Sequence, residues 1–168
     1  MILEIKKYPD ITLKRKCKTV KKIDDEIKKL AADMLETMYA APGVGLAANQ
    51  VGVPVRLCVI DIRPDGKKNP LVLINPRIVS KKGRIFELEG CLSFPGLNEK
   101  VRRASEVKVE ATDENGMPVA VYGKELLSRA LQHELDHLGG KVFIDYLSFL
   151  KKLSIKGKIR KLKKEGIW

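Results

Sequence analysis

From Ile23 to Ala41 apolar side chains return every three or four positions (Ile27, Leu30, Ala31, Met34, Leu35, Met38), and Asp24 stands where an N-cap belongs. That period predicts an amphipathic helix. The next stretch, APGVGLAANQVGVP, is too broken by glycine and proline to continue it. Two β-branched runs follow, VRLCVIDI at 55–62 and LVLINPRIVS at 71–80, and their apolar character does not alternate. Farther on, VKVEAT and MPVAVY flank Asp113-Glu114-Asn115-Gly116, and Asn-Gly between such runs predicts a hairpin. A second helix is expected from about Lys124 to Leu138, stopped at Gly139, and a third, basic one over 148–164. This order predicts an α+β fold, with antiparallel strands packed around a central helix and further helices toward each end.

Composition narrows the class without naming a chemistry. The chain of 168 residues suits one domain, and 44% hydrophobic with 32% charged residues is the balance of a soluble globular protein. No apolar run approaches the roughly 20 residues of a membrane helix. Glu4, Lys6 and Lys7 interrupt the first apolar stretch, which argues against a signal peptide. Cys17, Cys58 and Cys91 are odd in number and widely spaced, unlike a disulfide framework, so a reducing cytoplasm is the expected setting.

The formal charge of +12 gathers near the two ends, and residues 151–168 carry eight Lys or Arg against one Glu. Two readings compete: attraction to a polyanion such as ribosomal RNA, and a lysine-rich solvated surface of a heat-adapted protein. If helical, the tail has a partial apolar seam at Leu153, Ile155, Ile159 and Leu162, weakened by Gly157.

The chemistry is concentrated in QHELDHLGG at 132–140, which holds both histidines of the chain. At 3.6 residues per turn, His133 and His137 lie about 40° apart on the second helix. Leu126, Leu127, Ala130, Leu131, Leu135 and Leu138 form one arc, with both histidines and Glu134 within it or at its edge. Glu125, Ser128, Gln132 and Asp136 are expected to point the other way. An inward carboxylate beside two imidazoles is costly unless something compensates, and a divalent metal does. The extended protease pattern would put a third histidine at residue 143, which is Phe143. Downstream carboxylates are Asp145 and Glu165. Cys17 and Cys58 read as structural, whereas Cys91 sits in the turn-like LEGCLSFPG, where a thiolate could face a metal.

Three segments taken together resemble the peptide deformylase family. GVGLAANQ (43–50), EGCLS (89–93) and QHELDHLGG (132–140) match G-x-G-L-A-A-x-Q, E-G-C-L-S and Q-H-E-x-D-H-L-x-G at every fixed position. The resemblance covers roughly residues 1–147 as a catalytic domain and leaves 148–168 as a basic helical extension. It implies a metal-dependent hydrolase that removes the formyl group from the initiator methionine of nascent chains and releases formate. It further implies Cys91, His133 and His137 as metal ligands and Glu134 as the group that moves the proton. Gln50 and the backbone N–H of Leu92 would hold the formyl oxygen, and Gly45 would offer backbone contact to the peptide. Val44, Leu126 and the stem of Arg129 are candidates by position for the methionine pocket. One thiolate and two imidazoles accept iron(II), zinc, nickel or cobalt; the resemblance implies Fe(2+), with Zn(2+) as a common substitute. Glu89 has two readings: it anchors a ligand or an arginine such as Arg102 or Arg103, or it forms an ordinary surface pair. The rival readings are a metalloprotease with Asp145 as third ligand, and a basic ribosome- or RNA-binding module with a structural metal.

Overall fold

The computed structural model describes residues 1–168. Helix α1 spans Asp25–Ala40, and the Asp24 carboxylate accepts from the Ile27 N–H at 3.1 Å, satisfying one of the free donors at the helix start. Five strands form one antiparallel sheet in the order β1-β2-β3-β6-β7: β1 Gly45–Ala47, β2 Leu57–Ile60, β3 Leu71–Lys82, β6 Glu106–Thr112 and β7 Pro118–Lys124. A separate hairpin pairs β4 Ile85–Gly90 with β5 Asn98–Arg103. Helix α2 spans Glu125–Leu138 and α3 spans Phe149–Lys164. The predicted α+β class, the three helices and the hairpin at Asn115-Gly116 are all present.

Strand β2 explains the non-alternating run. Leu57 and Val59 join Met34 and Met38 of α1 in one core, while Cys58 and Ile60 join Leu131 and Leu138 of α2 in another. A strand covered by helices on both faces has no solvent side on which to place polar residues. In β3, Asn75 adopts a left-handed φ of 52°, and its side chain accepts from the Val20 N–H and donates to the Val20 carbonyl, both at 2.9 Å. Pro76 follows at the register shift, where a missing backbone donor does least harm.

A third core joins Leu13, Phe94, Leu97, Phe143, Ile155 and Ile159, so α3 packs on the segment that follows Cys91. Phe94 stacks on Tyr8 at 4.9 Å between ring centroids and meets Phe143 edge-on at 5.0 Å. The seam of α3 is narrower than expected: Ile155 and Ile159 are buried, whereas Leu153 is exposed. No helix is long and apolar enough to cross a membrane.

The outward assignment on α2 fails at two positions. Ser128 and Gln132 are buried. The chain between β5 and β6 passes alongside the helix, and its Ala104 peptide groups need partners. Ser128 Oγ donates to the Ala104 carbonyl at 2.8 Å, the Gln132 amide donates to the same carbonyl at 2.9 Å, and Gln132 Oε1 accepts from the Ala104 N–H at 3.0 Å. Buried backbone groups must be paired, and helical periodicity does not reveal which polar side chains supply the pairing.

Candidate active site

α2 turns His133, Glu134 and His137 toward the β4–β5 side of the molecule, and all three are buried. The two histidine Nε2 atoms lie 3.2 Å apart, and Cys91 Sγ lies 3.2 Å from His137 Nε2. The three donor atoms fall within 4.8 Å of one another. Around a tetrahedral zinc-sized ion, two nitrogens would stand about 3.3 Å apart and a sulfur and a nitrogen about 3.6 Å. The set therefore fits a metal ion. Burial holds His137 well below the ordinary imidazole range, with the neighbouring His133 acting in the same direction, and a neutral imidazole is the form that binds a metal.

Asp145 is used otherwise. It lies at the end of a short turn, Phe143–Tyr146, where its Oδ2 accepts from the Val142 N–H at 2.9 Å.

Behind His133, Glu89 Oε1 lies 3.1 Å from Nδ1, so the ring's second nitrogen has a carboxylate partner. Arg103 braces that carboxylate through Nη2 at 3.1 Å to both oxygens and also donates to Asp136. Arg103 is buried, whereas Arg102 is exposed and lies over Phe86. Successive residues of a strand face opposite sides, which separates the two arginines. Such a carboxylate fixes the orientation of a ligating imidazole. Asp136, on the far side of α2, serves this brace.

Gln50 closes another side. Its Oε1 accepts from the Ala47 N–H at 2.9 Å, which leaves the amide group directed at Ser93 Oγ, 3.1 Å away, and at Cys91 Sγ, 3.6 Å away. Ser93 and Asn49, whose side chain donates to the His137 carbonyl at 2.6 Å, were not singled out from the sequence. Both lie inside the recognised segments, where their position was the available signal.

Glu134 is 3% exposed, and its Oε2 has no hydrogen-bond partner. Burial pushes its carboxyl up to about 7. The carboxylate lies at a cavity of about 600 Å³ that is also lined by Val44, Gly45, Gln50, Cys91, Leu92, Leu126, Arg129 and His133. Every site residue implied by the resemblance thus lies at this cavity, except His137, which is buried beside it. Leu126 is 39% exposed, at the rim rather than in the core. Arg129 donates through Nη1 to the Leu88 carbonyl at 3.0 Å.

A family model described as polypeptide deformylase matches residues 2–153. The chain belongs to the polypeptide deformylase family. A peptide deformylase of Endomicrobium trichonymphae is 51% identical over 166 residues, covering 99% of this chain and 98% of its own. One from Nitrosococcus oceani is 54% identical over 160 residues, covering 95% of each chain. The crystal structure of a peptide deformylase from Legionella pneumophila superposes with a TM-score of 0.94 at 46% identity, covering 99% of this chain and 98% of that one. Deformylation of formylated nascent peptides is the activity of this metal-dependent family, and Cys91, His133 and His137 form a group that could hold a metal ion.

Proposed function

We propose that this chain removes the N-formyl group from the initiator methionine of newly made polypeptides, with Cys91, His133 and His137 as metal ligands and Glu134 as the group that moves the proton. The observation that carries this assignment is a buried Glu134 oxygen without a partner, on the same helix as two imidazoles that converge on a cysteine sulfur. A divalent ion there supplies a lowered water pKa and polarisation of the formyl carbonyl.

The rest is work for the chain's own side chains. Glu134 takes a proton from the attacking water as its oxygen adds to the formyl carbon. It delivers that proton to the amine nitrogen as the C–N bond breaks, and formate leaves. Such positioned proton transfer contributes about 10²–10⁴-fold. The Gln50 amide, held in one orientation by Ala47, and the Leu92 N–H donate to the formyl oxygen as charge grows on it. Each such donor is worth roughly 3 kcal/mol of barrier reduction. Gly45 contacts the peptide backbone, and Val44, Leu126 and the stem of Arg129 receive the methionine side chain.

The physiological ion is Fe(2+), with Zn(2+), Ni(2+) or Co(2+) able to occupy the same donors. The enzyme works in the cytoplasm beside the ribosome, toward which the basic α3 is attracted. Formate release from a formyl-methionyl tripeptide, followed with anaerobically iron-loaded protein and with the acetyl analogue alongside, tests the assignment. Turnover of the formyl peptide alone is expected; cleavage within the peptide would overturn it.

A further inference from the structure

The cavity wall at Gly43–Gly45 carries two glycines, which have no side chains with which to anchor it, yet it fits between two functional groups without slack. A Cβ placed on Gly43 would lie 2.7 Å from Leu92 Cδ1, and one on Gly45 would lie 2.3 Å from Glu134 Oε1. Something outside the wall must hold it.

The segment after β2 does so from behind. The Arg63 guanidinium donates through Nη2 to the Gly43 carbonyl at 2.8 Å, and the Asp61 N–H donates to the Val44 carbonyl at 2.9 Å. Two successive carbonyls of the wall are thereby tied to residues 61 and 63. Arg63 reaches this position by turning sharply away from the strand with a left-handed φ of 49°, a conformation that costs energy unless neighbours impose it. Asp61 imposes it. Its buried carboxylate accepts from the Arg63 N–H at 2.8 Å, the Asn69 N–H at 3.1 Å and the Tyr39 hydroxyl at 2.6 Å. Tyr39 belongs to α1, so the clamp is referred to a rigid element, and the Arg63 guanidinium also lies over the Tyr39 ring at 5.9 Å.

We propose that Arg63 is a positioning residue for the reaction, holding the Gly43–Gly45 wall in register with Leu92 and Glu134, with Asp61 and Tyr39 setting Arg63 in turn. The inference rests on the deformylase assignment above. It touches no metal ligand, and Arg63 acts only through the backbone it holds. A misplacement of about 1 Å at such a site can cost on the order of 10²-fold in rate.

The test is steady-state deformylation of a formyl-methionyl tripeptide by the metal-loaded full chain, comparing wild type with Arg63→Met and Tyr39→Phe. Arg63→Met is expected to raise KM about tenfold, with metal content and Tm close to wild type. Tyr39→Phe, which leaves the two backbone donors on Asp61, is expected to give a smaller rise in the same direction. Free guanidinium at millimolar concentration should lower the KM of Arg63→Ala toward wild type and leave wild type unaffected. Wild-type kinetics in Arg63→Met would overturn the proposal. So would a variant whose KM is unchanged while its Tm and metal content fall together, because that is a folding defect. An inactive wild type with metal bound would instead sink the deformylase assignment, so the two failures are distinguishable.

Discussion

Glu134 occupies the space that any side chain at position 45 would need: a Cβ on Gly45 would lie 2.3 Å from Glu134 Oε1 and 2.8 Å from its carboxyl carbon. The glycine permits the close approach of strand and carboxylate, a use of glycine distinct from any need for unusual backbone angles. Gly45→Ala should therefore keep the fold and the metal while pushing Glu134 from its place. A fall in kcat/KM of about 10²-fold or more is expected, given the sensitivity of catalysis to such displacements. Metal analysis beside the kinetics checks it, and near-normal activity would mean that the carboxylate has room to adapt.

Cys91 and Asp145 separate two mechanisms. Cys91→Ala is expected to lose most of the bound metal and of the formate release, because two imidazoles alone make a poor site. Asp145→Asn is expected to retain both, since Asp145 faces its own turn. Metal content after dialysis reads the difference, and the reverse pattern would restore the protease alternative.

Arg103 neutralises two carboxylates, Glu89 and Asp136, in largely buried surroundings. Removing one partner of a buried ion pair leaves uncompensated charge and costs about 3–5 kcal/mol. Arg103→Met should therefore lower the urea midpoint markedly. Its weakened hold on Glu89, and through it on His133, should also reduce metal affinity by roughly 10–100-fold, the usual scale for such supporting partners. Chelator competition measures that part.

Gln132→Leu keeps the size of the side chain but strips the Ala104 N–H of its acceptor. The expected cost is about 1–3 kcal/mol of stability, with the KM for the formyl peptide unchanged in the folded fraction. Denaturant unfolding with parallel kinetics tests it, and a stable variant would mean that Ala104 finds another partner.

The basic face of α3 gives a salt-dependent prediction. Reversing exposed Lys156, Lys158 and Lys161 to Glu leaves buried Ile155 and Ile159 in place, so folding should survive. If the helix binds ribosomal RNA, co-sedimentation with ribosomes at low salt should fall sharply in this variant and, for wild type, fall steeply with added salt. Equal sedimentation of the two proteins would leave the lysines as a solvated surface.

The sequence by itself determined what is local. Helix periods, the Asp24 cap, the Asn115-Gly116 turn and the spacing of His133, Glu134 and His137 all follow from interactions within a few residues. The three motif segments were legible for the same reason, as short runs of fixed chemistry. Strands β4 and β5 were not anticipated, because RIFELEG and NEKVRR are half charged and carry no clear apolar alternation. Their charges include Glu89 and Arg103, which satisfy each other only after the chain has folded. Tertiary structure likewise decided that Gln132 and Ser128 face inward, that Arg103 rather than Arg102 braces Glu89, and that Arg63 reaches Gly43. Each is a pairing between polar groups distant along the chain. The free energy of such a contact depends on burial and geometry that no local pattern encodes.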